Sequence, residues 1–149
     1  MRKITLPNSF LAEAAEMLRN GQTVRLHIDG ASMYPFIRGG KDEVELLPHQ
    51  GTTPLTPWCC AFYCWEGQYM IHRYIGKYEE TCLMMGDGNL ARIEQVPISE
   101  VIGILSTIYH PDGSKQDCLD SRWLKRGHLW YRLRHIRRFL IPLLKKTIG

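Results

Sequence analysis

Gln68-Tyr-Met-Ile-His-Arg-Tyr-Ile75, then Gly76-Lys77, then Glu80-Thr-Cys-Leu-Met-Met85 and Gly86-Asp-Gly-Asn89 form the stretch that sets the fold class. Two runs of strand-forming character flank Gly76-Lys77, and a dense turn signal closes the second, which reads as a hairpin. The same grammar extends in both directions. Val24, Leu26 and Ile28 alternate with polar residues over Gln22–Ile28, and Glu43–Leu47, Cys59–Trp65, Ala91–Val96 and Val101–Tyr109 are further extended runs. Asp29–Gly40, His49–Pro57 and His110–Gly113 supply the Gly- and Pro-rich turns between them. Ahead of these strands, residues 9–19 show helical spacing, with Asn8 or Ser9 as cap and Asn20-Gly21 as terminator. The reading is therefore a mainly β chain. An N-terminal helix precedes a coiled antiparallel sheet or barrel, and a basic C-terminal helix follows it.

With 149 residues, 44% hydrophobic and 23% charged, the chain is of ordinary globular composition and large enough for a core without disulfides. No apolar run approaches the roughly 20 residues that cross a bilayer. Met1-Arg2-Lys3-Ile4-Thr5 soon reaches Pro7 without a leader-like apolar segment, so a cytoplasmic location is expected. The five cysteines, Cys59, Cys60, Cys64, Cys82 and Cys118, form no C-x-x-C pair and no zinc pattern. They read as buried reduced thiols, and nothing in the sequence calls for a metal or another cofactor.

Charge divides the chain in two. Residues 1–120 hold 10 Lys and Arg with all 15 acids, while residues 121–149 hold 9 Lys and Arg and no acid. The expected organisation is a β body over 1–120 and a basic helical tail over 121–149. Leu129, Leu133, Ile136 and Leu140 fall on one arc of a helix, Arg134, His135 and Arg138 on the other, and Pro142 should end or kink it. A helix of this kind, spanning 122–146, suits an anionic membrane surface, which would make the protein peripheral at the inner face. It equally suits docking on the acidic body, and a third reading is nucleic-acid binding.

The candidate chemistry lies in Gly30-Ala31-Ser32-Met33-Tyr34-Pro35-Phe36-Ile37-Arg38-Gly39-Gly40. Small neighbours leave the Ser32 hydroxyl with little steric cover, though a serine in a polar turn is by itself unremarkable. Ser32-Met33-Tyr34-Pro35 with Gly39-Gly40, then His72-Arg73 forty positions later, then Gly86-Asp87-Gly88-Asn89 and Val101-Ile-Gly-Ile-Leu, follow one another in a set order. In this order the chain resembles serine peptidases of the signal-peptidase superfamily, which includes the self-cleaving SOS-repressor-like peptidases (the S24/S26 type). The resemblance spans about residues 22–108. Histidine stands where most bacterial relatives carry lysine, so the chain looks like the Ser–His branch, without an N-terminal membrane anchor. It departs from the pattern at Gly40-Lys41-Asp42, where one residue is inserted. No helix-turn-helix precedes Ser32, so DNA is not an expected partner.

The resemblance implies a serine endopeptidase acting on a peptide or precursor protein. Ser32 would be the nucleophile and His72 the base, with Asp87 either holding the imidazole tautomer or bonding only local amides. Histidine suits the task because its ordinary pKa near 6.5 needs less desolvation than lysine's. The Ser32 N–H would be one oxyanion donor. Gly30 carries no hydroxyl, so a backbone amide or another residue must supply the second. Met33, Phe36 and Ile37 could line a substrate edge or belong to the core. A silent peptide-binding or scaffold module of the same fold is the alternative. Lys41, Lys77, His27, His49, His110, His128 and His135 match none of these boxes.

Overall fold

The structure is a computed structural model that describes residues 8–148. The opening residues, where no leader was expected, lie outside the described residues, as do the side chains of Asn8 and Ser9 and so their capping role. Helix α1 (Asn8–Arg19) leads into strands β1 (Val24–His27), β2 (Glu43–Pro48), β3 (Cys60–Trp65), β4 (Gln68–Tyr78), β5 (Thr81–Met85) and β6 (Glu94–Pro97). A 3-10 turn at Ile98–Glu100 precedes β7 (Val101–Tyr109) and β8 (Lys115–Asp117). Helices α2 (Ser121–Arg132) and α3 (Arg137–Ile148) complete the chain, joined by a 3-10 turn at Arg134–Ile136.

The eight strands form one antiparallel sheet in the order β1-β2-β7-β3-β4-β5-β6, and it does not close into a barrel. Strand β7 is the spine. It pairs with β2 along one edge, while its other edge takes β3 near the start and β8 near the end. The unbroken apolar character of β3 follows from burial on both faces. Cys60 and Phe62 join a core with α1, β1, β2 and Trp123, whereas Ala61 and Tyr63 join a second with Cys82, Met84 and Val96. In β2 the alternation is plain, with Val44 and Leu46 inward and Glu43 and Glu45 only half covered. Ala14, Ala15 and Leu18 carry α1 onto the sheet. A Cβ at Gly103 would stand 3.1 Å from Leu18 Cδ1, so the glycine lets helix and spine approach.

Three sequence expectations change. Gly76-Lys77 is not the hairpin turn. β4 runs on to Tyr78, Gly76 takes φ +152° at a register shift after Tyr74, and Glu79 with φ +54° turns the chain. A glycine in a strand interior marks a bulge here rather than a reversal. Strand β8 was not anticipated, being only three residues long. The basic segment is two helices rather than one, broken at Leu133, and Pro142 sits inside α3. Pro142 and Arg138 are both exposed, so water can take the Arg138 carbonyl that proline leaves without a helical donor.

Candidate active site

Ser32 sits on the loop between β1 and β2, and the residues around it explain its exposure. Ile28 N–H donates to Asp42 O at 3.2 Å and Gly40 N–H to Ile28 O at 2.7 Å, closing the loop at its base. The buried Asp42 carboxylate accepts from Arg38 N–H at 2.7 Å and bonds His110 Nδ1 at 2.9 Å. Met33 and Ile37 are driven into the core, Phe36 packs edge-on against Trp123 at 5.6 Å, and Ser32 is left outside. A Cβ on Gly39 would overlap the Gly30 backbone, so two glycines pinch the loop shut.

The turn after β5 is clipped to this loop. Gly88 N–H donates to Ser32 O at 2.8 Å, and Asp87 N–H lies 3.4 Å from Met33 Sδ. Gly86 lies between the two candidate groups. A Cβ there would collide with the Ser32 carbonyl and stand 3.1 Å from His72 Cδ2. Ser32 and His72 line one cavity of about 270 Å³, with Met33, Asn89, Arg92 and the apolar side chains of Leu11, Phe62 and Ile71. The fold therefore brings these two sequence-predicted residues to the same hollow.

His72 is only 4% exposed, and its ring is held by groups from β3 and β6. Nδ1 lies 2.6 Å from Glu94 Oε1 and 3.0 Å from the Tyr63 hydroxyl, which itself donates to Glu94 Oε1 at 2.7 Å. An ionised carboxylate only accepts, so the Nδ1 proton faces Glu94 and the Nε2 lone pair is left for another donor. Burial pushes the Glu94 carboxyl up, but the hydrogen bonds from His72 and Tyr63 outweigh it, with help from the Arg92 charge. The net effect is a pKa below the ordinary value. Tyr63 moves the opposite way, raised by burial and by the adjoining carboxylate, so it stays a neutral donor.

Asp87 does not reach the imidazole. Both its oxygens are taken by Arg73, at 2.8 Å from Nε and 2.7 Å from Nη2, and both side chains are buried. Asp87, read as either an orienter of the imidazole or a ligand of local amides, is instead committed to the Arg73 fork on the opposite face of β4, and the carboxylate that lies against His72 Nδ1 is Glu94. Sequence reasoning missed Glu94 within a run read only as extended. The available signal was its parity with Val96, since Glu94 and Val96 point inward while Gln95 and Pro97 point out.

The C-terminal helices brace the same turn. Arg73 extends toward α2, with its guanidinium 4.6 Å from the Trp123 ring and 4.9 Å from Phe36, and donates to Trp58 O at 2.7 Å. Trp130 Nε1 donates to Asp87 O at 2.7 Å, and the buried Arg137 donates to Gly86 O at 3.2 Å and Asn89 O at 2.9 Å. The inward face of α2 is therefore Trp123, Gly127 and Trp130. Leu129, Ile136, Phe139 and Leu143 are exposed. The remaining histidines have structural partners where these are seen, as in His49 on the Val101 and Thr53 carbonyls and His128 stacked on Trp58 at 4.0 Å.

Among the described residues no group of three or more His, Cys, Asp or Glu side chains is placed to hold a metal ion. No described helix is long and apolar enough to cross a membrane. Compared with protein-family models and with curated proteins, the chain matches none.

Proposed function

We propose that the chain is a serine endopeptidase of the signal-peptidase type, cleaving a peptide or precursor protein through an acyl-enzyme. The observation that carries this reading is the buried His72–Glu94 contact of 2.6 Å, opening on a cavity that Ser32 also lines. His72 takes the Ser32 proton as Oγ bonds to the substrate carbonyl, then returns it to the leaving amine. Water, deprotonated by the same imidazole, releases the acid and regenerates Ser32. Glu94 fixes the tautomer and offsets the imidazolium charge, with Tyr63 holding the carboxylate in place. For the oxyanion, the Ser32 N–H and the Asn89 side-chain amide are donors with no partner among the described residues, and both residues line the cavity.

The test is mass-spectrometric cleavage of a diverse peptide library by wild type, Ser32→Ala and His72→Ala. Both variants should lose at least about 10³-fold in rate. Cleavage surviving Ser32→Ala overturns the nucleophile. Peptide capture without cleavage by folded wild type turns the reading to a silent peptide-binding module.

A cytoplasmic protein held peripherally at the inner membrane face is the setting we infer. Exposed Ile136, Phe139 and Leu143 share one side of the α3 region, with exposed Arg138 and Lys146 close by. Apolar side chains beside cations favour an anionic lipid interface. Phosphatidylglycerol vesicles should sediment with wild type, and Phe139→Glu with Leu143→Glu should abolish this.

A further inference from the structure

We propose that a second pocket, sharing Gly30 with the Ser32 cavity, binds an acidic side chain of the substrate peptide close to the bond that is cut. This rests on the peptidase reading and adds a substrate class to it. The pocket encloses about 390 Å³ and is lined by Gly30, Ala31, Tyr34, Arg38, Gly39, Lys41 and Lys145. No carboxylate stands in its wall. Arg38 is already committed to Asp42 at 3.3 Å, but Lys41 and Lys145 have no ion-pair partner among the described residues. The Lys145 ammonium stands 5.4 Å from the centre of the Tyr34 ring. Tyr34 is only 7% exposed, and its hydroxyl is buried with no hydrogen-bond partner among the described residues.

Two uncompensated ammonium groups and an unspent phenol around one hollow match the acceptor-only chemistry of a carboxylate. Gly30, two positions before Ser32, lines both pockets, so the two hollows adjoin at that residue. Lys145 comes from α3, so the C-terminal segment adds a specificity group as well as bracing the catalytic turn.

The experiment pairs library peptides that differ only by Glu or Gln at each position flanking the cut. Wild-type kcat/KM should favour Glu at one position by about tenfold, an ordinary size for a charge-assisted contact. In Lys41→Glu with Lys145→Glu, that Glu:Gln ratio should fall to one or below, and Tyr34→Phe should lower it part of the way. In parallel, fluorescence anisotropy measures binding of the same labelled pair to Ser32→Ala protein, with and without the two charge reversals. Cleavage with no Glu preference at any position overturns the pocket and leaves the peptidase reading standing. No cleavage by wild type, with Glu-selective binding that the reversals remove, sustains the pocket and defeats the peptidase reading. Equal binding of Glu and Gln peptides, with the reversals instead removing affinity for phosphatidylglycerol vesicles, overturns the proposal in favour of a lipid headgroup.

Discussion

His72 and Arg73 are adjacent in β4 and serve opposite faces of the sheet. His72 lies across from Ala61 and Arg73 across from Cys60, and those two neighbours belong to different cores. On one face stand Tyr63 and Glu94. On the other stand Asp87, Trp123 and the α2 helix. The alternation of a strand therefore separates two duties that adjoin in sequence, and substitutions on the two faces should fail in different ways.

Glu94→Gln tests the first face. The amide oxygen can still accept from Nδ1 but cannot balance an imidazolium, so kcat should fall by roughly 10²- to 10⁴-fold with little change in KM. The same carboxyl should leave a signature in acid. Its pKa in the folded protein lies below the ordinary 4.5, so its stabilising effect is complete above about pH 4.5 and is lost as pH falls through the folded value. Circular dichroism against pH should show that decline in wild type and a shallower one in Glu94→Gln.

Asp87→Asn tests the second. It strands a buried guanidinium, a change that typically costs about 3–5 kcal/mol, and Tm should drop by roughly 10 °C. Replacing both partners with apolar residues, as in Arg73→Met with Asp87→Leu, should recover part of that loss. A lowered kcat at unchanged Tm would instead return Asp87 to an orienting role.

Gly127→Ala sets two effects against each other. Alanine is favoured over glycine in a helix interior by about 1 kcal/mol. At this position, however, the new Cβ would overlap the Arg73 guanidinium, which is pinned by Asp87 and Trp58 O. Overpacking of this kind costs about 1–3 kcal/mol, so thermal denaturation should show net destabilisation. A raised Tm would mean that Arg73 moves aside freely.

The thiols should report the fold by their silence. Burial pushes the Cys59 thiol up to about 12, and burial also raises Cys60, Cys82 and Cys118. Cys64 alone is half exposed. Iodoacetamide at pH 8 should label Cys64 first in the native protein, with the other four reacting only in denaturant, as read by peptide mass spectrometry.

Much of this architecture was legible because period-two alternation survives wherever one face of a strand meets water, as in Val44 and Leu46. Gly76 misled because a bulge glycine and a turn glycine look alike in one dimension. The docked face of the C-terminal helices was left open for a different reason. Aliphatic periodicity singled out Leu129 and Ile136 without saying what they meet, and burial followed the groups with partners to find, Trp130 at the Asp87 carbonyl and Gly127 beneath Arg73. Ser32 and His72 were visible through their motifs. Glu94 carried no motif, and its place became apparent only once β6 was paired to β5.

The Arg137 bridge to Gly86 and Asn89 has a consequence in time. The turn that positions Ser32 is made early in the chain, but the cation that ties it down follows Gly86 by fifty-one residues. During synthesis, which proceeds from the N-terminus, the sheet can assemble while that tie is still missing. A nascent chain would thus carry Ser32, His72 and Glu94 beside a turn that Arg137 has yet to fasten. The order of translation itself would then set when that turn is fastened.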